Sequence, residues 1–193
     1  MTLPLVLAST SPFRRDLLLR LGVNFVQDSP KTDETPQLNE SAQQLCHRLA
    51  IAKAQALGEK YTAHLIIGSD QVASFAGEMI GKPLTHINAV QQLSTFSAQA
   101  VDFYTGLCLL NSLTGQYQVQ VATFRVHFRP LTADTIERYL QAEQPYQCAG
   151  SFKSEGLGIC LFERFEGDDA TALIGLPLMS LVTMLQHEGV MIP

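Results

Sequence analysis

The sequence predicts an α/β fold built on a mixed sheet, and three observations predict it. Apolar runs of strand length alternate with amphipathic stretches of helix length, the pattern of strands covered by helices. Two long strand-like stretches, Val101 to Asn111 and Tyr117 to Phe128, flank Thr114-Gly115 and read as a hairpin, so the sheet is not all parallel. Hydrophobic residues make up 46% of the 193 and charged residues 16%, enough for a sizeable core in one domain over 1–193.

Taken in order, Leu3 to Ala8 reads as a fully buried strand. A helix follows from Pro12, a favoured first-turn residue, to Leu21, with Leu17, Leu18 and Leu21 on one face and Gly22 as its stop. Val23 to Val26 is a short strand, and Gln27 to Glu40 is a polar loop carrying Asp33-Glu34. Ser41-x-x-Gln44 is a capping box for the next helix. Its inner face is expected at Leu45, Leu49, Ala52 and Ala56, with Lys53 on the border. His64 to Val72 reads as a strand ending near Asp70, and Gly77 as a hairpin turn. Thr85 and Thr132 cap two further helices, the second reaching about Glu143. Within the second hairpin strand the pattern breaks between Val121 and Phe124, which suggests a bulge. Leu157 to Phe165 is expected as a strand, and Pro177 starts the last helix with Leu181, Val182 and Leu185 inward.

Net charge is −5, which argues against a binder of polymeric nucleic acid through a broad basic face. No apolar run approaches the ~20 residues of a membrane span. The apolar N-terminus lacks the positive start of a secretory signal, so a cytoplasmic protein is expected. Cys46, Cys108, Cys148 and Cys160 are scattered without a CxxC pair and are expected as buried, reduced thiols. No GxxxxGK[ST] loop, GxSxG elbow or complete dinucleotide fingerprint occurs.

The chemistry begins where the first strand ends. Ser9-Thr10-Ser11-Pro12-Phe13-Arg14-Arg15 joins a buried strand to a helix start, where free backbone N–H groups and two guanidinium groups suit phosphate oxygens. The plain alternative is an ordinary turn with two solvated arginines. Lys53 either snorkels along the core edge or reaches into a site. Asp70, inside Leu-Ile-Ile-Gly-Ser-Asp-Gln-Val-Ala, is costly to bury unless it is paired or near a cation.

These stretches together resemble the Maf family of nucleotide pyrophosphatases. Ala8-Ser9-x-Ser11-Pro12-x-Arg14-Arg15 is similar to its opening motif. Matches to Asp33-Glu34, Lys53, Gly68-Ser69-Asp70, Gly81-Lys82-Pro83, Thr105-Gly106, Ala149-Gly150, Gly156-Leu157-Gly158 and Gly175-Leu176-Pro177 follow in the family's order. The resemblance implies an elongated twisted mixed sheet flanked by helices, two lobes around a deep cleft, and a fold similar to the inosine-triphosphate pyrophosphatases. It implies cleavage of a nucleoside triphosphate between the α- and β-phosphates, with a divalent metal cation, Mg²⁺ or Mn²⁺. Ser9, Ser11, Arg14, Arg15, Lys53 and Lys82 would then hold phosphates. Glu34 and Asp70 offer hard oxygen ligands, and the resemblance assigns Asp70 as proton acceptor. Whether Asp70 is base, ligand or both stays open. Small-molecule nucleotide, not membrane or nucleic acid, is the expected partner, and a homodimer is left open.

Within the family the chain resembles the YceF branch, which acts on 7-methyl-GTP. The branch acting on dTTP and UTP usually has arginine, threonine and glutamine where this chain has Phe13, Gln71 and Glu155, and a small residue at Lys153. A cationic, flat base with donors at N1 and N2 suits stacking on Phe13 and a carboxylate at Glu155. The alternatives are a core aromatic and a solvated loop residue. A dTTP or UTP pyrophosphatase, or a non-catalytic nucleotide-binding regulator of septation, are the competing functions.

Overall fold

The computed structural model describes residues 2–192. The chain runs β1 (Leu5–Ala8), α1 (Pro12–Leu19), β2 (Phe25–Asp28), α2 (Ala42–Gln55), β3 (Leu65–Phe75), β4 (Glu78–Ile80), α3 (His86–Phe96), β5 (Ala100–Asn111), β6 (Tyr117–Phe128) and α4 (Ala133–Glu143). Two short 3₁₀ segments (Ala149–Ser151 and Leu157–Leu161) precede β7 (Phe162–Glu166), α5 (Ala170–Ile174) and α6 (Leu178–His187). The strands form one seven-stranded sheet, in the order β2-β1-β3-β5-β6-β7 with β4 paired to β3. β1 pairs parallel with β2 and with β3, whereas β3–β4 and β6–β7 are antiparallel. The mixed α/β expectation therefore holds.

The chain divides into two compact units, each assembled from separate segments. The first takes the residues up to Gln71, Thr105–Ala122 and those from Asp169 onward. Its aliphatic core joins Leu5 and Leu7 of β1, Leu17 and Leu18 of α1, and Leu181 and Leu185 of α6. A second cluster in the same unit places Val6, Ala8 and Ile66 against Ala50 and Ala54 of α2. Alternate residues of β1 thus enter different clusters, as the period-two geometry of a strand covered on both faces requires.

The second unit takes Val72–Tyr104 and Thr123–Asp168. It holds eight of the ten phenylalanines, and their rings meet edge-on or tilted: Phe96 with Phe128, Phe103 with Phe152, and Phe162 with Phe152 at 4.7 Å between centroids. Such pairs add about 0.5–1.5 kcal/mol each beyond area burial. The unit boundary between Ala122 and Thr123 falls at the pattern break in the second hairpin strand. A register irregularity on β6 lies at His127/Phe128, against β7.

Four expectations need correction. β2 lies two residues later than Val23 to Val26, because its register aligns Phe25 with Leu5 while Val23 packs into the aliphatic cluster. Leu157 to Leu161 is a 3₁₀ turn, not a strand, because the Gly156 and Gly158 N–H groups both close on the Lys153 carbonyl. Cys160 on that turn is consequently exposed, and Cys148 is only partly buried. Asp70 lies inside β3, which continues to Phe75, and not at its end. No helix among the described residues is long and apolar enough to cross a membrane.

Candidate active site

The loop after β1 is wound by its own hydroxyls. Ser9 N donates to Leu7 O at 2.9 Å, and Ser11 N donates to Ser9 Oγ at 3.1 Å. Ser11 caps α1 by accepting from Arg14 N at 3.4 Å, with Pro12 as the first helical residue. Both hydroxyl oxygens act as acceptors here, so their protons remain free to donate. Phe13 N, in the first turn, lacks an intrahelical acceptor, as at any helix start.

The two arginines diverge. Arg14 turns back, donating from Nε to Gly175 O at 2.8 Å and from Nη1 to Ser9 Oγ at 3.4 Å. Burial pushes its pKa below the ordinary arginine value, opposed by the charges of Asp70 and Glu34. Arg15 is exposed and, among the described residues, pairs only with Asp16 at 3.3 Å, so it stays outside the constellation that gathers around Lys53.

That constellation depends on how closely α2 approaches the sheet. A Cβ at Gly68 would lie 2.1 Å from the Ala50 carbonyl oxygen, and one at Gly106 2.2 Å from that of Cys46. Only glycine admits backbone-to-backbone packing this tight. The buried face of α2 is therefore Leu45, Cys46, Leu49, Ala50, Lys53 and Ala54. Ala52 and Ala56, expected inward, are half-buried and exposed. The rotation carries Lys53 inward, to 6% exposure. Its Nζ lies 2.6 Å from Asp70 Oδ1 and 2.6 Å from Glu34 Oε1. Asp70 is 7% exposed, whereas the Glu34 side chain remains 60% exposed.

Arg48, five residues before Lys53, staples the Glu34 loop to α2. It donates from Nε and Nη2 to the two oxygens of Glu40 at 2.6 and 2.8 Å, and from Nη2 to Thr35 O at 3.1 Å. Asp33, the neighbour of Glu34, instead closes a local turn on Thr35 N. Cys46 lies near Asp70, but burial pushes its thiol up to about 12, and the Asp70 charge adds to the effect. Burial and the neighbouring carboxylate thus both disfavour a thiolate at that position.

Whether these residues suit a divalent cation can be read from the donors. Asp70 Oδ2 and Glu34 Oε2 carry no bond to the protein among the described residues. These two open oxygens, on carboxylates whose other oxygens face one ammonium, are hard donors of the kind taken by Mg²⁺ or Mn²⁺, which keep several waters and use few protein carboxylates. No cluster of three or more His, Cys, Asp or Glu exists among the described residues.

The α5–α6 corner supplies what sequence reasoning missed. Ser69 Oγ donates to Gly175 O at 2.9 Å, the same carbonyl that accepts from Arg14. Thr105 Oγ1 donates to Ala172 O at 2.9 Å. Gln71 Nε2 lies 2.8 Å from Ala172 O, 2.9 Å from Leu173 O and 3.1 Å from Thr105 Oγ1. Carbonyls only accept, so the amide nitrogen must face them and Oε1 is left to accept from elsewhere. Asp169 holds the corner, accepting from Thr171 N at 2.9 Å and Met179 N at 2.9 Å. The usable sequence signals were Asp169 as an N-cap and Gly175 as a stop around a five-residue helix. Phe13 is partly exposed and is not among the side chains packed into the aliphatic cluster.

In the second unit, Lys82 is exposed on the loop before α3, where Leu84 N donates to Tyr146 O at 3.0 Å. Glu155 is exposed on the turn before the second 3₁₀ segment. Both act electrostatically on the partly buried Cys148: burial raises that thiol most, Glu155 raises it further, and Lys153 and Lys82 lower it. Lys82, Lys153 and Glu155 thus all bear electrostatically on the Cys148 thiol. Lys153 itself is tied to Glu143 at 3.2 Å.

The sequence profile of a family described as Maf-like protein matches residues 4–188. A Pseudomonas fluorescens protein called 7-methyl-GTP pyrophosphatase is 57% identical over 191 residues, covering 99% of this chain and 100% of that one. Proteins of the same name from Pseudomonas savastanoi and Pseudomonas aeruginosa are 56% and 53% identical over 189 residues, with 98% of each chain covered. A structure described as a HAM1 protein from Coxiella burnetii aligns with TM-score 0.57 at 16% identity, covering 96% of this chain and 99% of that one, a likeness of fold. On the profile match and the full-length relatives, the chain belongs to the Maf family.

Proposed function

We propose that this protein hydrolyses 7-methyl-GTP to 7-methyl-GMP and pyrophosphate. The observation that carries the reading is Asp70: buried, its Oδ1 held by Lys53, its Oδ2 open, and its charge felt by Arg14 at the start of α1. An anion-binding module has no use for a carboxylate so placed, whereas hydrolysis of an anhydride needs one to take a proton from water. The name shared by relatives above half identity supports the substrate.

In this reading the Ser9–Ser11 loop, the free N–H of the first turn of α1 and Arg14 bind phosphate oxygens. Lys53 fixes the orientation of Asp70 and offsets the charge of the two carboxylates. Asp70 Oδ2 orients a water and accepts its proton as the water adds across the α–β anhydride, and pyrophosphate leaves. Glu34 and Asp70 would hold a divalent cation, which when bound supplies charge neutralisation and polarises phosphoryl oxygen. Lys82 adds positive charge for the departing pyrophosphate, and Arg15 contributes only long-range attraction.

The base is chosen by Phe13, Gln71 and Glu155. Phe13 stacks on the cationic ring, worth about 0.5–2 kcal/mol. Glu155 accepts from N1 and N2, and its charge favours the methylated base over guanine. Gln71 is anchored so that it offers an acceptor. The test is a panel of 7-methyl-GTP, GTP, dTTP and UTP with Mg²⁺, with Mn²⁺ and with chelator, scored for pyrophosphate and monophosphate. Preference should run 7-methyl-GTP, then GTP, then the pyrimidines. A leading dTTP or UTP activity would overturn the base assignment, and binding without turnover would overturn the enzyme reading.

A further inference from the structure

The turn that presents Glu155 is fastened at both ends by one side chain. Glu143, the last residue of α4, receives the Lys153 ammonium on Oε1 at 3.2 Å and the Leu157 N–H on Oε2 at 2.8 Å. Lys153 Nζ also donates to the Glu143 carbonyl at 3.0 Å, where a helix C-terminus favours a cation. Lys153 N donates to Tyr139 Oη at 3.1 Å. Between these ties the Gly156 and Gly158 N–H groups close on Lys153 O at 3.3 and 3.1 Å. The packing leaves no slack: a Cβ at Gly156 would lie 2.6 Å from Glu143 Oε2, and one at Gly158 2.3 Å from Lys153 O. Glu155 stands exposed on this turn, with Ser154 Oγ at 3.4 Å as its hydrogen-bond partner.

Two consequences follow. The backbone is tied on both sides of Glu155, which limits where its carboxylate can stand. The Lys153 ammonium, two residues away, is neutralised by Glu143 and does not compensate Glu155. A carboxylate that reads a cationic base must keep its charge unspent. We infer that Glu143 is a positioning residue for base selection: it closes the Glu155 turn and sequesters Lys153, leaving Glu155 as the turn's free anionic group.

The inference rests on the reading of Glu155 as the group that recognises the base, and the experiment separates the two. kcat and KM are measured with 7-methyl-GTP and with GTP on wild type, Glu155→Gln, Glu143→Gln and Glu143→Gln/Lys153→Met. Thermal melts and kcat on GTP report folding. If Glu155→Gln leaves the preference for 7-methyl-GTP intact, the base reading fails. If it lowers the preference, the clasp is tested on its own. Glu143→Gln should then lose about two- to five-fold of the preference, the size of a partly exposed ion pair, through KM for 7-methyl-GTP and with kcat on GTP near wild type. Removing the freed lysine in the double variant should restore most of it. An unchanged preference in a folded Glu143→Gln overturns the inference. A loss that the double variant fails to recover overturns the sequestering of Lys153.

Discussion

At the scale of the residue, the centre of the site is a lysine shared by two carboxylates, each 2.6 Å away. The geometry separates the roles that substitutions would expose. Asp70→Asn keeps shape and an acceptor for Lys53 but removes the basic oxygen, so turnover should fall by about 10²-fold or more, with a loss of stability smaller than that of Lys53→Met because Lys53 keeps Glu34 as a counter-ion. Lys53→Met leaves the buried Asp70 without its cation, which costs about 3 kcal/mol or more and should lower both stability and activity. Steady-state kinetics and denaturant melts on the pair distinguish the assignments; full activity in Asp70→Asn would remove it from the base role. The site was legible to different depths. Lys53 stood at the border of a helical face, the resemblance drew it into the site, and the packing shows it turned inward onto two carboxylates. Arg15 looked equivalent to Arg14 in sequence, yet one helical step of about 100° sends it outward.

At the scale of the element, α2 connects fold and site, because it carries both Arg48 and Lys53 and touches the sheet through two glycines. Gly68→Ala must push against the Ala50 carbonyl, so we expect a loss of about 3 kcal/mol, and more than tenfold in activity because Lys53 moves with the helix. Gly22→Ala, in open space with φ +66°, should cost only about 1 kcal/mol and leave activity alone. Denaturation midpoints and kinetics on the two variants check the contrast. The Arg48–Glu40 tie predicts an acid limb. Arg48, then a backbone bond from Gln37, holds the Glu40 carboxyl down at about 2 against burial, which acts the other way. A folded pKa below the unfolded one gives stability that is full above the usual carboxylate range and is lost as pH falls towards 2. Asp28, held down to about 2 by Lys60, adds to the same limb, so Glu40→Gln should reduce the slope of stability across that window without abolishing it, and an unchanged acid profile would sink the idea. Helix starts were legible because capping is local: Ser41, Thr85 and Thr132 each accept from the backbone N–H three residues on. The second 3₁₀ segment and α5 were not, because their shape depends on partners from beyond the segment, Glu143 for Leu157 N and Met179 N for Asp169.

At the scale of the whole molecule, the chain crosses between its two units four times, and β3, β5 and β6 contribute residues to both. No composition shift along the sequence could reveal units whose pieces are interleaved, although one core is aliphatic and the other rich in phenylalanine. The interleaving has a thermodynamic consequence for the C-terminal segment, which belongs with the N-terminal one. Leu176, Leu178, Leu181, Met184, Leu185 and Val190 are all buried in the cluster that begins at Leu5. Burying each is worth about 1.5–3 kcal/mol, so together they contribute on the order of 10 kcal/mol, comparable to the ~5–15 kcal/mol that holds a whole domain folded. The same segment carries the Ala172, Leu173 and Gly175 carbonyls that accept from Arg14, Ser69, Gln71 and Thr105. A chain ending at Asp168 should therefore lose cooperative melting and all nucleotide hydrolysis, even though Asp70, Lys53 and Glu34 remain in it. Adding residues 169–193 back as a separate peptide should restore helical signal and some turnover, since the missing contacts are noncovalent. A truncated chain that melts cooperatively near the full-length temperature would mean that the first unit's core closes without α6, contrary to its packing.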